Sequence, residues 1–188
     1  AERVLLGLAN KFAKEGNNVT VLTMFDLPNA YPIDDKVKVK TISIKHFEGS
    51  LINKGFNMIY RIFKMRRALK SQRNTDLIIS FGGSVSVTMI LAKATILKRM
   101  KCIVAVRNNP LLNYGSALRR FVSYLYVYAE CVVVQNDFQG EIVKKFGPMK
   151  KIVQISNPVN IVYESNPYNP KTKKYTFLSI GRYCFQKR

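Results

Sequence analysis

Apolar residues change their spacing several times along the chain, and each change predicts a new element. Between residues 1 and 15, Val4, Leu5, Leu8, Ala9 and Phe12 recur at helical spacing. Glu2 in the first turn and Lys14 in the last turn complement the helix dipole. Gly16 follows as a C-terminal stop. Residues 18–24 are rich in β-branched side chains and predict a strand. After a loop with Pro28 and Pro32, residues 37–44 alternate strictly. That pattern predicts a strand with one buried and one wet face, at a sheet edge.

Residues 57–73 return to helical spacing, with Met58, Ile62, Met65 and Leu69 forming a narrow apolar stripe. The continuous apolar run at 76–80 then predicts a strand buried in a parallel sheet. Beyond the turn Phe81-Gly82-Gly83-Ser84 the pattern predicts a helix at 85–100 and a strand at 102–106. A helix at 116–129 and a strand at 131–134 follow. Asn136 and Gln139 have the spacing of a capping box for a helix ending at Phe146, before Gly147-Pro148, and 151–155 is the next strand. Strands separated by crossover helices imply an α/β fold, a Rossmann-like, mostly parallel sheet with helices on both faces. Residues 1–158 read as this domain, 159–174 as a polar linker, and 175–188 as the first strand and basic turn of a second domain. The chain starts at Ala1 without a methionine or a signal-peptide pattern, and it is expected to be a fragment.

Charge sharpens this picture. Lys and Arg total 31 against 11 Asp and Glu, a formal net charge of +20, which favours polyanionic partners. Much of the excess lies on the 57–73 helix, where Arg61, Lys64, Arg66, Arg67, Lys70 and Arg73 meet no acid and flank Tyr60 and Phe63. Such a helix is either a solvated face packed by its stripe or an interfacial helix that meets anionic lipid or a lipid-linked phosphate. A second reading of the whole chain, a non-catalytic polyanion-binding module for nucleic acid, explains the charge. It lacks a recognised motif, so no nucleic acid is expected as a partner. No run of about 18 uncharged apolar residues occurs to span a bilayer. Cys102, Cys131 and Cys184 are dispersed, and with the lone His46 they offer no metal site.

Candidate chemistry concentrates in the turns that follow the strands, where such sheets bind ligands. No serine elbow, Walker loop or dinucleotide fingerprint is present. Gly82-Gly83 permits close ligand approach or makes a tight turn. Arg107-Asn108-Asn109-Pro110 presents a cation and two amides, suited to an oxyanion or to sugar hydroxyls, or else makes an Asn-capped turn.

Taken together, five stretches resemble the family 4 glycosyltransferases, retaining enzymes of the GT-B fold. They are Ala1-Glu2-Arg3-Val4-Leu5-Leu6, Arg107-Asn108-Asn109-Pro110, Val132-Val133-Val134-Gln135, Ser156-Asn157-Pro158-Val159-Asn160, and Ser179-Ile180-Gly181-Arg182 with Gln186-Lys187. The resemblance implies an N-terminal acceptor-side domain and a C-terminal domain for a nucleotide-sugar, UDP-linked, with no cofactor and no required metal. It assigns Arg182 and Lys187 to the donor diphosphate. Gly82, Gly83, Arg107, Asn108 and Asn157 fall on the cleft and acceptor side. Arg61, Lys64, Arg66, Arg67 and Lys70 are the candidates for membrane or lipid-phosphate contact. The implied reaction moves a hexose or N-acetylhexosamine to a lipid-linked or polysaccharide acceptor in cell-surface glycan synthesis. It would take place in the cytoplasm, at the inner face of the cell membrane. The family's first strand is expected before Ala1 and its Glu-x7-Glu motif after Arg188. This fragment alone is therefore expected to be inactive. Phe81-Gly82 stands where many members have a histidine, and Val106 where many have Glu, so no catalytic residue is assigned.

Overall fold

The computed structural model describes residues 2–26, 31–44, 51–72, 74–96, 100–108 and 124–158. The chain divides into two compact units, Ala1–Asn157 and Pro158–Arg188. Beyond Pro158 the second unit lies outside the described residues, and with it the expected linker and second-domain strand.

The first unit begins with α1, Glu2–Lys14. Its end is a Schellman turn: Gly16 N–H donates to Ala13 O at 3.1 Å and Asn17 N–H to Phe12 O at 3.1 Å. Gly16 has φ of 88°, a conformation that glycine adopts without a Cβ penalty. β1 (Thr20–Thr23) and β2 (Lys38–Thr41) follow, then the long α2 (Leu51–Ser71). The rest alternates: β3 (Leu77–Phe81), α3 (Gly83–Ala94), β4 (Lys101–Ala105), a 3-10 turn at Tyr126–Tyr128, β5 (Cys131–Val134), α4 (Asp137–Lys144) and β6 (Ile152–Gln154).

Every described strand pair is parallel. The strands form two sheets, a two-stranded β1-β2 and a four-stranded β3-β4-β5-β6. One apolar cluster nevertheless gathers Leu22 and Met24 from the β1 region, Ile78 from β3, and Met65 and Leu69 from α2. Strand alternation assigns the helices to faces. Val21 packs with Leu6, Ala9 and Ala13 of α1, whereas its neighbour Leu22 packs with the α2 cluster. Adjacent strand residues point to opposite faces, so α1 and α2 cover opposite sides of the small sheet. On the large sheet, Cys102 and Val104 of β4 and Val132 and Val134 of β5 share one face with Val87, Met89 and Ile90 of α3 and Val143 of α4. This is the main core.

Three sequence expectations are corrected. Residues 37–44 do not present one buried face. β2 itself is exposed at all four positions, and Val39 keeps 40% of its surface. The buried set changes phase along the segment: Val37 joins the α1 cluster, Ile42 and Ile44 the α2 cluster. Helices on both sides of the small sheet therefore draw on both faces. α2 begins six positions before its expected start, because the helix continues through exposed Gly55. An interior glycine costs only about 1 kcal/mol relative to alanine, which the rest of a 21-residue helix outweighs. α3 starts two positions early, at Gly83, and ends at Ala94 instead of Met100, with Thr95 N–H closing onto Ala92 O at 3.2 Å. Of the expected 116–129 helix, residues 116–123 lie outside the described residues; Tyr124 and Leu125 are helical and lead into the 3-10 turn Tyr126–Tyr128.

The capping box of α4 takes a shifted form. Gln139 N–H donates to Asn136 Oδ1 at 2.9 Å, as the spacing implies. The Gln139 side chain reaches one residue further back, accepting from Gln135 N–H at 2.9 Å. Asn136→Ala is expected to cost about 1 kcal/mol. In a chain of this size that lowers the melting temperature by roughly 2–4 °C, and an unchanged calorimetric transition would contradict the cap assignment.

Candidate functional site

The carboxyl ends of β3, β4, β5 and β6 deliver four turns to one edge of the large sheet. The first turn is set by two buried serines. Ser80 and Ser86 share a hydrogen bond of 2.9 Å, and Ser86 Oγ donates to Gly82 O at 2.8 Å. Gly82 N–H reaches across to Ala105 O at 3.4 Å. Gly82 has φ 98° and ψ 145°, a region essentially reserved for glycine. A Cβ there would meet nothing within 4 Å. Backbone conformation, not crowding, is what demands glycine at this turn. α3 then starts at Gly83 without a side-chain cap.

β4 delivers Val106, buried with its N–H on Val133 O at 2.8 Å, and then half-buried Arg107 and exposed Asn108. Arg107 Nη2 donates to Asn157 Oδ1. Its guanidinium carbon lies 5.9 Å from the centroid of the Phe81 ring. Its Nε is buried and meets no acceptor among the described residues. Partial burial pushes the Arg107 pKa below its usual value, yet a guanidinium remains a cation.

β5 and β6 complete the arrangement. Gln135 Nε2 also donates to Asn157 Oδ1, at 3.4 Å, and Ser156 Oγ donates to Gln135 O at 3.4 Å. Two donors thus converge on one side-chain oxygen. They orient the Asn157 amide and leave its NH2 as the remaining donor. The result is a cation within cation–π reach of an aromatic ring, beside two carboxamides and a glycine turn. Chemically this suits the oxygens of a phosphate or the hydroxyls of a sugar.

Residues 1–163 match Glycosyltransferase Family 4. The chain belongs to that family. No curated protein matches it. The matched span includes Phe81, Gly82, Gly83, Arg107, Asn108, Gln135 and Asn157, so this edge lies within the glycosyltransferase domain.

Of the residues named from sequence, the structure brings Arg107 and Asn157 into direct contact, fifty positions apart in the chain. Gly82 and Gly83 share the same edge, and Asn108 is exposed beside them. Arg182 and Lys187 lie outside the described residues, as do Asn109 and Pro110. Phe81 and Gln135 join the site although the sequence alone does not single them out as site residues. The register supplies a signal for Phe81. It pairs with Ala105, and Arg107, two residues on, returns to the same face.

On α2 of this glycosyltransferase domain, Arg67 and Lys70 are exposed and Arg61, Lys64 and Arg66 are half-buried. Lys64 Nζ sits 5.5 Å from the Tyr60 ring centroid. Arg66 Nε donates to Thr95 O at 3.4 Å, tying α2 to the end of α3. Among the described residues, no three His, Cys, Asp or Glu side chains gather as a metal site. No described helix is long and apolar enough to cross a membrane. Cys102 is buried, and burial pushes the Cys131 thiol pKa up against the opposing pull of Lys151. A raised pKa disfavours the thiolate that a nucleophile needs.

Proposed function

We propose that this domain is the acceptor-side half of a retaining glycosyltransferase of GT-B architecture. The reaction moves a hexose or N-acetylhexosamine from a nucleotide-sugar, UDP-linked, to a lipid-linked or polysaccharide acceptor in cell-surface glycan synthesis. The observation that carries the reading is the Arg107–Asn157 contact at the carboxyl ends of a parallel sheet, within a family 4 glycosyltransferase match. In this reading Arg107, Asn108, Asn157 and the Gly82-Gly83 turn bind the acceptor's hydroxyls or phosphate. Arg182 and Lys187 hold the donor diphosphate, where protein cations stabilise the charge that builds as the sugar leaves, with no metal required. The enzyme works on the cytoplasmic side, held at the inner membrane face by its basic α2.

The test is turnover by an enzyme that carries residues 1–188 together with the donor-side domain. Saturable consumption of a UDP-sugar is expected, with product that keeps the donor's anomeric configuration by proton NMR. Inverted product would remove the retaining assignment. Tight RNA binding without any sugar turnover would replace the reading with a polyanion-binding module.

A further inference from the structure

α2 carries a second stripe, and nothing described in the fold covers it. Residues 56, 59, 63, 67 and 70 follow one another at spacings of three and four, so they line one face of the helix. The opposite face is the packed one, with Met65 and Leu69 buried and Met58 and Ile62 partly buried. The outward stripe changes character along its length. Its first three members are Phe56, Ile59 and Phe63, which keep 65%, 66% and 57% of their surface exposed. Its last two are the exposed cations Arg67 and Lys70, flanked by Lys64 and Arg66. The helix contains no acidic residue.

Two phenyl rings and an isoleucine standing together on a bare helix face are out of place in water. The cations that continue the same stripe identify the partner by charge complementarity. A surface that is apolar inside and anionic at its rim matches both halves, and an anionic bilayer is such a surface.

We infer that α2 docks obliquely on an anionic bilayer, with Phe56, Ile59 and Phe63 entering the acyl boundary while Arg67 and Lys70 meet lipid phosphates. This rests on the membrane-surface reading above and goes beyond it by naming the side chains that insert. The earlier basic set is a headgroup contact, whereas the anchor is apolar.

The chain contains no tryptophan, so Phe63→Trp gives a single reporter. With vesicles of equal parts phosphatidylglycerol and phosphatidylcholine, its emission is expected to shift to the blue and to be quenched by lipids brominated on the acyl chains. Phe138→Trp, at a position that is 61% exposed on α4, is expected to show neither change. The triple variant Phe56→Ser, Ile59→Ser, Phe63→Ser is expected to keep its melting temperature. Its vesicle partition in high salt should fall by roughly 100-fold or more, since each buried apolar side chain contributes enough for about tenfold. If the protein co-sediments with vesicles but the Phe63→Trp emission stays unshifted, insertion is wrong and surface attachment stands. If the unmodified chain never co-sediments, the membrane reading itself fails. Displacement from vesicles by RNA with no spectral shift would also overturn the inference.

Discussion

Met89→Ala is expected to lower the melting temperature of this domain by roughly 4–20 °C. Met89 keeps 1% of its surface and sits at the centre of the main core, between α3 and the β4-β5 ladder. α3 is buried on more than one side: Ser86, Val87, Thr88, Met89, Ile90 and Ala92 are all enclosed. A helix so enclosed cannot shift to close a gap on one side without opening one on another. Truncating a buried methionine to alanine costs about 2–5 kcal/mol when the cavity stays open, and each kcal/mol is worth about 2–4 °C in a chain of this length. Met89→Leu, which nearly conserves volume, is expected to cost less than about 1.5 kcal/mol. Differential scanning calorimetry of both variants checks the argument. A Met89→Ala transition within a degree of the unsubstituted domain would mean that the core relaxes around α3 or that α3 is not held against these strands.

The same enclosure explains which parts of the fold were legible in the sequence. Apolar runs such as 77–81 and 131–134 admit few readings once Gly82-Gly83 and Asn136 mark the turns that follow. Gly16 and Asn136 act locally, and both stand where their chemistry placed them. The misreadings came from effects that are not local. The 37–44 segment alternates as if one face were buried. Its burial is decided by two helices on opposite sides of the sheet, one preceding the segment in the chain and one following it. The apolar stripe from Met58 to Leu69 marked the packed part of α2, but the helix continues upstream through Gly55, where no stripe residue signals it. Phe56 consequently fell outside the expected helix, and the outward stripe it begins could not be seen.

The candidate site shows the same division. Strand-end turns were readable as ligand-facing positions, because parallel sheets bind at their carboxyl ends. Which turns touch was not readable, since the Arg107–Asn157 contact depends on the lateral order of β4, β5 and β6. Three strands of register must be known before those two side chains can be brought together.

Arg107→Ala is expected to slow sugar transfer by roughly 10- to 150-fold in the enzyme that carries this domain. The guanidinium holds the Asn157 amide in place, rests against Phe81, and keeps a buried Nε that meets no acceptor among the described residues. In the proposed reading the remaining Nη hydrogens of the guanidinium are the donors to an oxygen of the acceptor. A charge-assisted hydrogen bond contributes about 1.5–3 kcal/mol, and about 1.36 kcal/mol is tenfold in rate. Arg107→Lys keeps the charge but loses the planar fork that donates to Asn157, so it is expected to recover only part of the loss. The proposed acceptor-side role also predicts how the effect divides. kcat and acceptor KM should change, and donor KM should stay near its unsubstituted value. Asn157→Ala is expected to give a smaller defect of the same kind, because it releases Arg107 without removing it. A merely structural role for Arg107 predicts a lowered melting temperature with unchanged kinetics in the surviving folded enzyme. Wild-type kcat and acceptor KM in Arg107→Ala would therefore remove this edge of the sheet from the acceptor site.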